Sequence, residues 1–337
     1  MSSVAIAILN WNGVTYLEKF LSNVIQNSVN ENTKVYIIDN ASTDTSIIYL
    51  EQNYPTVSII QLDKNYGFAE GYNRGLAQIN ADIFVLLNSD VEVTPNWIEP
   101  IVTAMELDNN VAVCMPKIKS YLNKEYFEYA GAAGGFIDKY GYPFCNGRLF
   151  DKIEKDKGQY EKTREIFWAS GAAMFIKSKV YNELNGLDND FFAHMEEIDL
   201  CWRVKNRGYA ILYIPLSTVF HVGGGTLPKA NPFKTYLNFR NNLFLLHKNL
   251  PTNTKNKIIF TRKILDGIAF IKFLISLDFK NCNAILKAHI DYYKSIKKLD
   301  VSRNKLQNKI TKQTHKEIYN KSIVLDYFVK RKQKITL

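Results

Sequence analysis

Along the first ninety residues, short apolar β-branched runs alternate with segments whose apolar positions recur at helical spacing. Residues 4–9, 34–38, 57–62 and 83–87 read as buried strands, and 14–26, 43–52 and 68–79 as helices. The order β-α-β-α-β-α-β implies right-handed crossovers and an open, doubly wound, mostly parallel sheet. Ligands of such sheets bind beyond the carboxyl ends of the strands, so chemistry is expected in the residues directly after each strand. After the four strands come Asn10-Trp11-Asn12-Gly13, Asp39-Asn40-Ala41-Ser42-Thr43-Asp44, Lys64-Asn65-Tyr66-Gly67-Phe68 and Asn88-Ser89-Asp90-Val91-Glu92. Each cluster alone is explained by helix capping or turn formation. Four of them at four successive strand ends indicate a site.

Farther on, residues 111–167 are irregular and glycine-rich among aromatics, which predicts a β-rich insert. Strand–helix–strand rhythm returns over 172–176, 196–206 and 211–214. From Asn231 the pattern is helical, with Pro251 predicting a break between a core and a tail.

Charge sharpens that division. The chain of 337 residues carries a net +10, but residues 1–250 hold 23 basic against 27 acidic side chains and residues 251–337 hold 20 against 6. All the excess basicity lies in the last quarter, so no nucleic-acid partner is expected for the core. The four cysteines are widely spaced with no C-x-x-C pair, which suits a reducing cytoplasm. The first residues show no basic and apolar leader, and no run is long and apolar enough to span a bilayer, so neither signal peptide nor spanning helix is expected.

The combination ILNWNG (8–13), IIDNASTD (37–44), KNYGFAEGYNRG (64–75), LLNSDVEV (86–93), WASGAAMFI (168–176) and FFAHMEEIDLCWRVKNRGY (191–209) resembles the family 2 glycosyltransferases of GT-A fold, in their rhamnosyltransferase-like branch. The resemblance covers about residues 4–248. It implies a catalytic domain over 1–250, with a nucleotide-sugar half at about 1–110 and an acceptor half at about 111–250, followed by a basic helical tail over 251–337. A carboxylate at Asp39 accepts a hydrogen bond from the imide N–H of uracil or thymine without separating the two bases. The resemblance makes Asp39 the base reader, flanked by Leu9 and Trp11, and adds Asn65 and Asn73 to the nucleotide site. Trp11 serves equally as a stacking ring or a packed aromatic, and Asp44 reads as a helix cap.

Asn88-Ser89-Asp90 stands where the family has its DxD motif, with an amide in place of the first carboxylate. The resemblance implies a divalent cation, Mn²⁺ or Mg²⁺, that offsets the charge of a leaving diphosphate, with Asp90 as ligand beside Asn88. His221 completes the metal set, and Gly223-Gly224-Gly225 suits a loop beside a diphosphate. The family's E-D-x-D pattern aligns Glu197 with the catalytic base that takes the acceptor's proton, with Glu196 second. Their competing explanation is acids complementing a helix dipole. Trp168, Gly171 and Asp199 are expected around the acceptor, and Arg240 reads as a helix-surface arginine that could also reach the diphosphate.

These assignments imply an inverting, metal-dependent transfer of rhamnose or another hexose from a dTDP- or UDP-sugar to a lipid-linked or surface-polysaccharide acceptor. Two rivals stand beside this reading: a sugar nucleotidyltransferase, which would want a basic glycine-rich loop where NWNG stands, and a catalytically silent nucleotide-sugar-binding subunit at the membrane. In the tail, residues 258–277 mix large aliphatics with Arg262, Lys263, Asp266 and Lys272, and a lysine-rich helical stretch comes next. That pattern predicts a helix lying on the inner face of the cytoplasmic membrane, held by anionic lipid. A hairpin packed on the core, or a homodimer contact, is the alternative.

Overall fold

The computed structural model describes residues 1–223 and 231–335, so Gly224 and Gly225 of the glycine run lie outside the described residues. The predicted alternation is present: β1 (Val4–Asn10), α1 (Val14–Ser28), β2 (Thr33–Asp39), α2 (Ser46–Asn53), β3 (Ser58–Gln61), α3 (Gly67–Leu76) and β4 (Ile83–Leu87). In α1 the helical periodicity is borne out, since Leu17, Phe20, Leu21 and Val24 form its buried face. Strands β3, β2, β1 and β4 lie side by side and parallel.

Beyond β4 the sheet becomes mixed, which departs from a mostly parallel expectation. It continues through β5 (Val91–Val93), helix α4 (Glu99–Leu107), β6 (Val111–Ser120), β11 (Arg164–Glu165), β12 (Ala173–Lys177), the short α5 (Ser178–Glu183), α6 (Glu196–Asn206) and β13 (Ala210–His221). Strand β12 runs antiparallel between β4 and β6, and β13 is parallel to β6 but antiparallel to β5 and β11. The glycine-rich insert supplies a second, small sheet from β7 (Gly135–Asp138), β8 (Pro143–Cys145), β9 (Arg148–Leu149) and β10 (Lys152–Ile153).

The chain ends in α7 (Pro232–Asn249), α8 (Thr252–Ile275), α9 (Phe279–Gln307) and the strand β14 (Ile318–Tyr319). Asn231 caps α7 by accepting from the Phe233 amide at 2.9 Å, and Pro251 separates α7 from α8. The tail is built into the fold. β14 pairs in parallel with β7 of the small sheet. Lys205 of α6 meets Glu317 at 3.1 Å, and the Thr311 amide donates to the Asn206 carbonyl at 2.8 Å. Among the described residues no helix is long and apolar enough to cross a membrane.

Candidate active site

The polar clusters at the strand ends are wired to one another. Asp39, buried at the end of β2, accepts from Asn10 Nδ2 at 3.0 Å, from Ser42 Oγ at 2.6 Å and from the Ser42 amide at 2.9 Å. Three bonds leave a carboxylate room for about one further donor, and a base N–H would be that donor. Asn12 Oδ1 accepts from the amides of Thr43 and Asp44, so the β1 turn holds the β2 loop. Trp11 is 55% exposed beside this cradle, while Leu9 is part-buried against α3. Asn65 accepts from Asn40 Nδ2 at 3.0 Å and from the Gly67 amide at 2.8 Å. Asp44 bridges two helix starts, accepting from the Val14 and Ser46 amides, and burial fails to prevent those bonds from holding its carboxyl below the usual range.

Sheet register brings the metal candidates together from 131 positions apart. The ladder between β13 and β5 sets His221 opposite Val91, and the Val222 amide donates to the Asp90 carbonyl at 3.1 Å. His221 Nε2 therefore lies 3.1 Å from Asp90 Oδ1 and 3.4 Å from Asn88 Nδ2. Behind the ring, Glu128 Oε2 stands 3.6 Å from His221 Nδ1. The Glu128 amide donates to the Ile118 carbonyl beside the end of β6, whose Ser120 is the partner of His221 in the sheet. Burial disfavours charge on His221, but its close pairing with Asp90 and the attraction of both Asp90 and Glu128 outweigh it and push its pKa up to about 10. Asp90 is likewise opposed by burial, yet His221 holds its carboxyl below the ordinary value.

No group of three or more His, Cys, Asp or Glu side chains among the described residues could hold a metal unaided. Asp90 and His221 lie close enough to serve as two ligands of a cation whose remaining ligands would have to come from a bound molecule or solvent. A carboxylate behind the distal imidazole nitrogen is the usual partner of a metal-binding histidine.

The carboxylate pair sits at the start of α6, after a loop in which Phe192, His194 and Met195 all take positive φ (65°, 66° and 77°). Such non-glycine backbone costs about 1–3 kcal/mol per residue and persists only when its surroundings impose it. They do so through α7: Asn241 Nδ2 donates to the carbonyls of Phe191, Ala193 and His194 at 2.7–2.9 Å. Arg240 donates to the carbonyls of Asp190 and Phe191 at 3.1 and 3.0 Å. Glu196 and Glu197 each keep a buried Oε2 with no hydrogen-bond partner. Burial raises the Glu197 pKa to about 7, and burial together with the neighbouring Glu197 charge raises that of Glu196 well above the ordinary carboxylate value. The Glu197 Cβ lies 3.9 Å from where a Cβ on Gly171 would stand. The small-residue segment and the candidate base are thus brought together.

Three expected residues are not at this site. Trp168 is 3% exposed, donates its indole N–H to the Phe136 carbonyl at 2.8 Å and packs over Gly135, so no sugar can stack on it. Asp199 is fully enclosed, bound by Arg203 at 2.7 Å, Asn249 at 2.8 Å and Lys248 at 3.4 Å; it anchors α6 to α7 and cannot meet an acceptor. The Asn73 amide is committed to the Leu187 backbone, Asn189 and Tyr181, tying α3 to the loop before Phe191, which leaves nothing for a nucleotide. Arg240 grips backbone rather than lying free on a helix surface or reaching toward a diphosphate. Glu128 and Asn241 carry no sequence signal, because their roles exist only through pairings across the fold.

The sequence matches the family model for glycosyl transferase family 2 over residues 3–184. The chain belongs to glycosyl transferase family 2. It is 23% identical over 220 residues to a Mycobacterium tuberculosis protein named N-acetylglucosaminyl-diphospho-decaprenol L-rhamnosyltransferase, covering 61% of this chain and 71% of that one. It is 23% identical over 227 residues to the rhamnosyltransferase WbbL of Escherichia coli K12, covering 65% and 83%. The fold is that of a Pyrobaculum calidifontis mannosyltransferase solved with GDP-mannose and Mn²⁺, at a TM-score of 0.53 and 12% identity over 91% of this chain and 85% of the other. This family 2 enzyme is therefore a glycosyltransferase of GT-A fold.

Proposed function

We propose that this glycosyltransferase inverts the anomeric centre of a dTDP- or UDP-linked rhamnose or other hexose. Its acceptor is a hydroxyl of a lipid-linked or surface-polysaccharide glycan, reached from the inner face of the cytoplasmic membrane. The observation that carries the reading is Glu197: a carboxylate with one free oxygen, lifted close to neutral pH by burial, packed beside Gly171 of the small-residue segment. A general base works best when its pKa lies near the working pH. Glu197 takes the acceptor proton as the hydroxyl oxygen attacks the anomeric carbon, and the bond from that carbon to the diphosphate breaks on the opposite face. Glu196, beside Glu197 at the start of α6, orients the acceptor. Asp39 reads the base, with Leu9, Trp11 and Asn65 shaping its pocket. A divalent cation, when bound, offsets the charge developing on the leaving diphosphate; Asp90 and His221 would hold it, with Asn88 adjacent and Glu128 fixing the ring of His221.

The test is a thermal-shift screen of nucleotide sugars with Mn²⁺ or Mg²⁺, then transfer assays with whichever donor stabilises the protein. A ligand that binds only the native state raises the melting temperature by mass action. Stabilisation by a dTDP- or UDP-sugar that needs the cation supports the assignment; stabilisation by none of them, or equal stabilisation in EDTA, contradicts it.

A further inference from the structure

Two exposed apolar stripes on the C-terminal hairpin have no covering element among the described residues. On α8, Phe260, Ile264, Ile268, Ile271 and Ile275 recur at steps of four, four, three and four, so they share one face, and all are exposed. On α9, Phe279, Leu286, Ile290 and Tyr293 recur at seven, four and three and are exposed as well. Lys263 joins the two stripes, donating to Tyr293 Oη at 2.8 Å and lying 4.4 Å from the centre of that ring. Exposed Leu277 continues the surface around the hairpin tip.

The charges around this face are of one sign. Residues 252–307 carry twelve basic and four acidic side chains. All four acids are engaged: Asp266 is buried with Arg262 and His289, Asp278 holds Asn281, Asp291 accepts from Tyr236, and Asp300 meets His247. Lys257, Lys272, Lys280 and Lys297 are exposed. A second copy of the same face would oppose lysines to lysines, whereas an anionic lipid surface complements them while taking up the aliphatic stripes.

We propose that the α8–α9 face is a docking surface for an anionic bilayer, lying in the plane of the headgroups with its tip inserted. At 1.5 Å per residue, α8 alone spans roughly 36 Å of membrane surface. The hairpin is fastened to the catalytic loop, since Asp291 of α9 binds the Tyr236 hydroxyl, which Arg240 also contacts, and Lys298 pairs with Asp190. Docking thereby fixes the orientation of the acceptor site relative to the lipid. This purpose rests on the lipid-linked acceptor proposed above; the vesicle test contains neither donor nor acceptor and stands apart from it.

The experiment is flotation of the full-length protein with vesicles of phosphatidylcholine alone or mixed with phosphatidylglycerol. Flotation with the anionic vesicles only is expected. Ile268→Asp with Ile271→Asp should lower partitioning more than about ten-fold while leaving melting temperature and transfer to a water-soluble acceptor unchanged. Lys272→Gln and Lys280→Gln should each lower it about five-fold. Failure to float, equal flotation with neutral vesicles, or flotation indifferent to the isoleucine pair overturns the proposal. So does a light-scattering dimer that the isoleucine pair dissolves in a protein that never floats.

Discussion

Replacing Glu197 by Gln keeps the side chain's size and removes its ability to ionise, and the structure predicts opposite effects on catalysis and stability. The Glu197 carboxyl titrates near 4.5 when unfolded and is raised to about 7 in the fold by burial. Between those values the native state holds a proton that the unfolded chain has lost, so stability falls as pH rises through this window and the full penalty applies above pH 7. The difference corresponds to on the order of 3 kcal/mol at pH 8. For a chain this long that is roughly 4 °C in melting temperature. Glu197→Gln should therefore melt higher than the parent at pH 8 and alike at pH 4, while its kcat drops about 10²-fold or more and donor affinity stays level. The parent's kcat should rise with pH through about 7 as Glu197 ionises, and the variant should lose that limb. Calorimetric melting at the two pH values beside single-turnover transfer measures both. A variant that melts lower at both pH values and turns over normally would refute the reasoning.

Other perturbations separate the remaining parts of the site. Asp90→Ala and EDTA treatment of the parent should each abolish transfer, and full activity in EDTA would recast Asn88-Ser89-Asp90 as a turn. Glu128→Ala should weaken Mn²⁺ binding about 10–100-fold by paramagnetic resonance titration, with undiminished affinity arguing against its place behind His221. Asn241→Ala releases the strained loop before Glu196, and kcat should fall about 10²-fold with donor binding retained; normal kcat would show that α6 positions Glu197 alone. Gly171→Phe should raise the acceptor KM without changing donor affinity, because its ring would crowd Phe68 and Glu197; an unchanged acceptor KM would place the acceptor elsewhere.

The legible part of the chain was its local part. Apolar periodicity located the first four strands and their helices, and the polar residues after those strands supplied Asp39 and Asp90 because a parallel sheet gathers its strand ends. His221 was reachable because it ends an apolar run, although only the β13–β5 register explains why it meets Asp90. The errors came from burial. Trp168 and Asp199 stand beside functional segments, yet one closes over Gly135 and the other is neutralised by Arg203 and Lys248, a residue 49 positions away. Glu128, Asn241 and the return of β14 to the small sheet depend on contacts between distant segments that carry no periodic signal. The mixed half of the sheet is of the same kind, since strand direction after β4 is decided by pairing.

The most direct test of the central claim is the configuration of the sugar released when the preferred donor is slowly hydrolysed without acceptor, monitored by proton NMR before the anomers equilibrate. A single displacement assisted by Glu197 predicts that the first sugar released has the anomeric configuration opposite to the donor's, and that Glu197→Gln suppresses the release. A first-formed sugar that retains the donor's configuration would contradict the account, because it would require a nucleophile on the enzyme or attack from the leaving-group face.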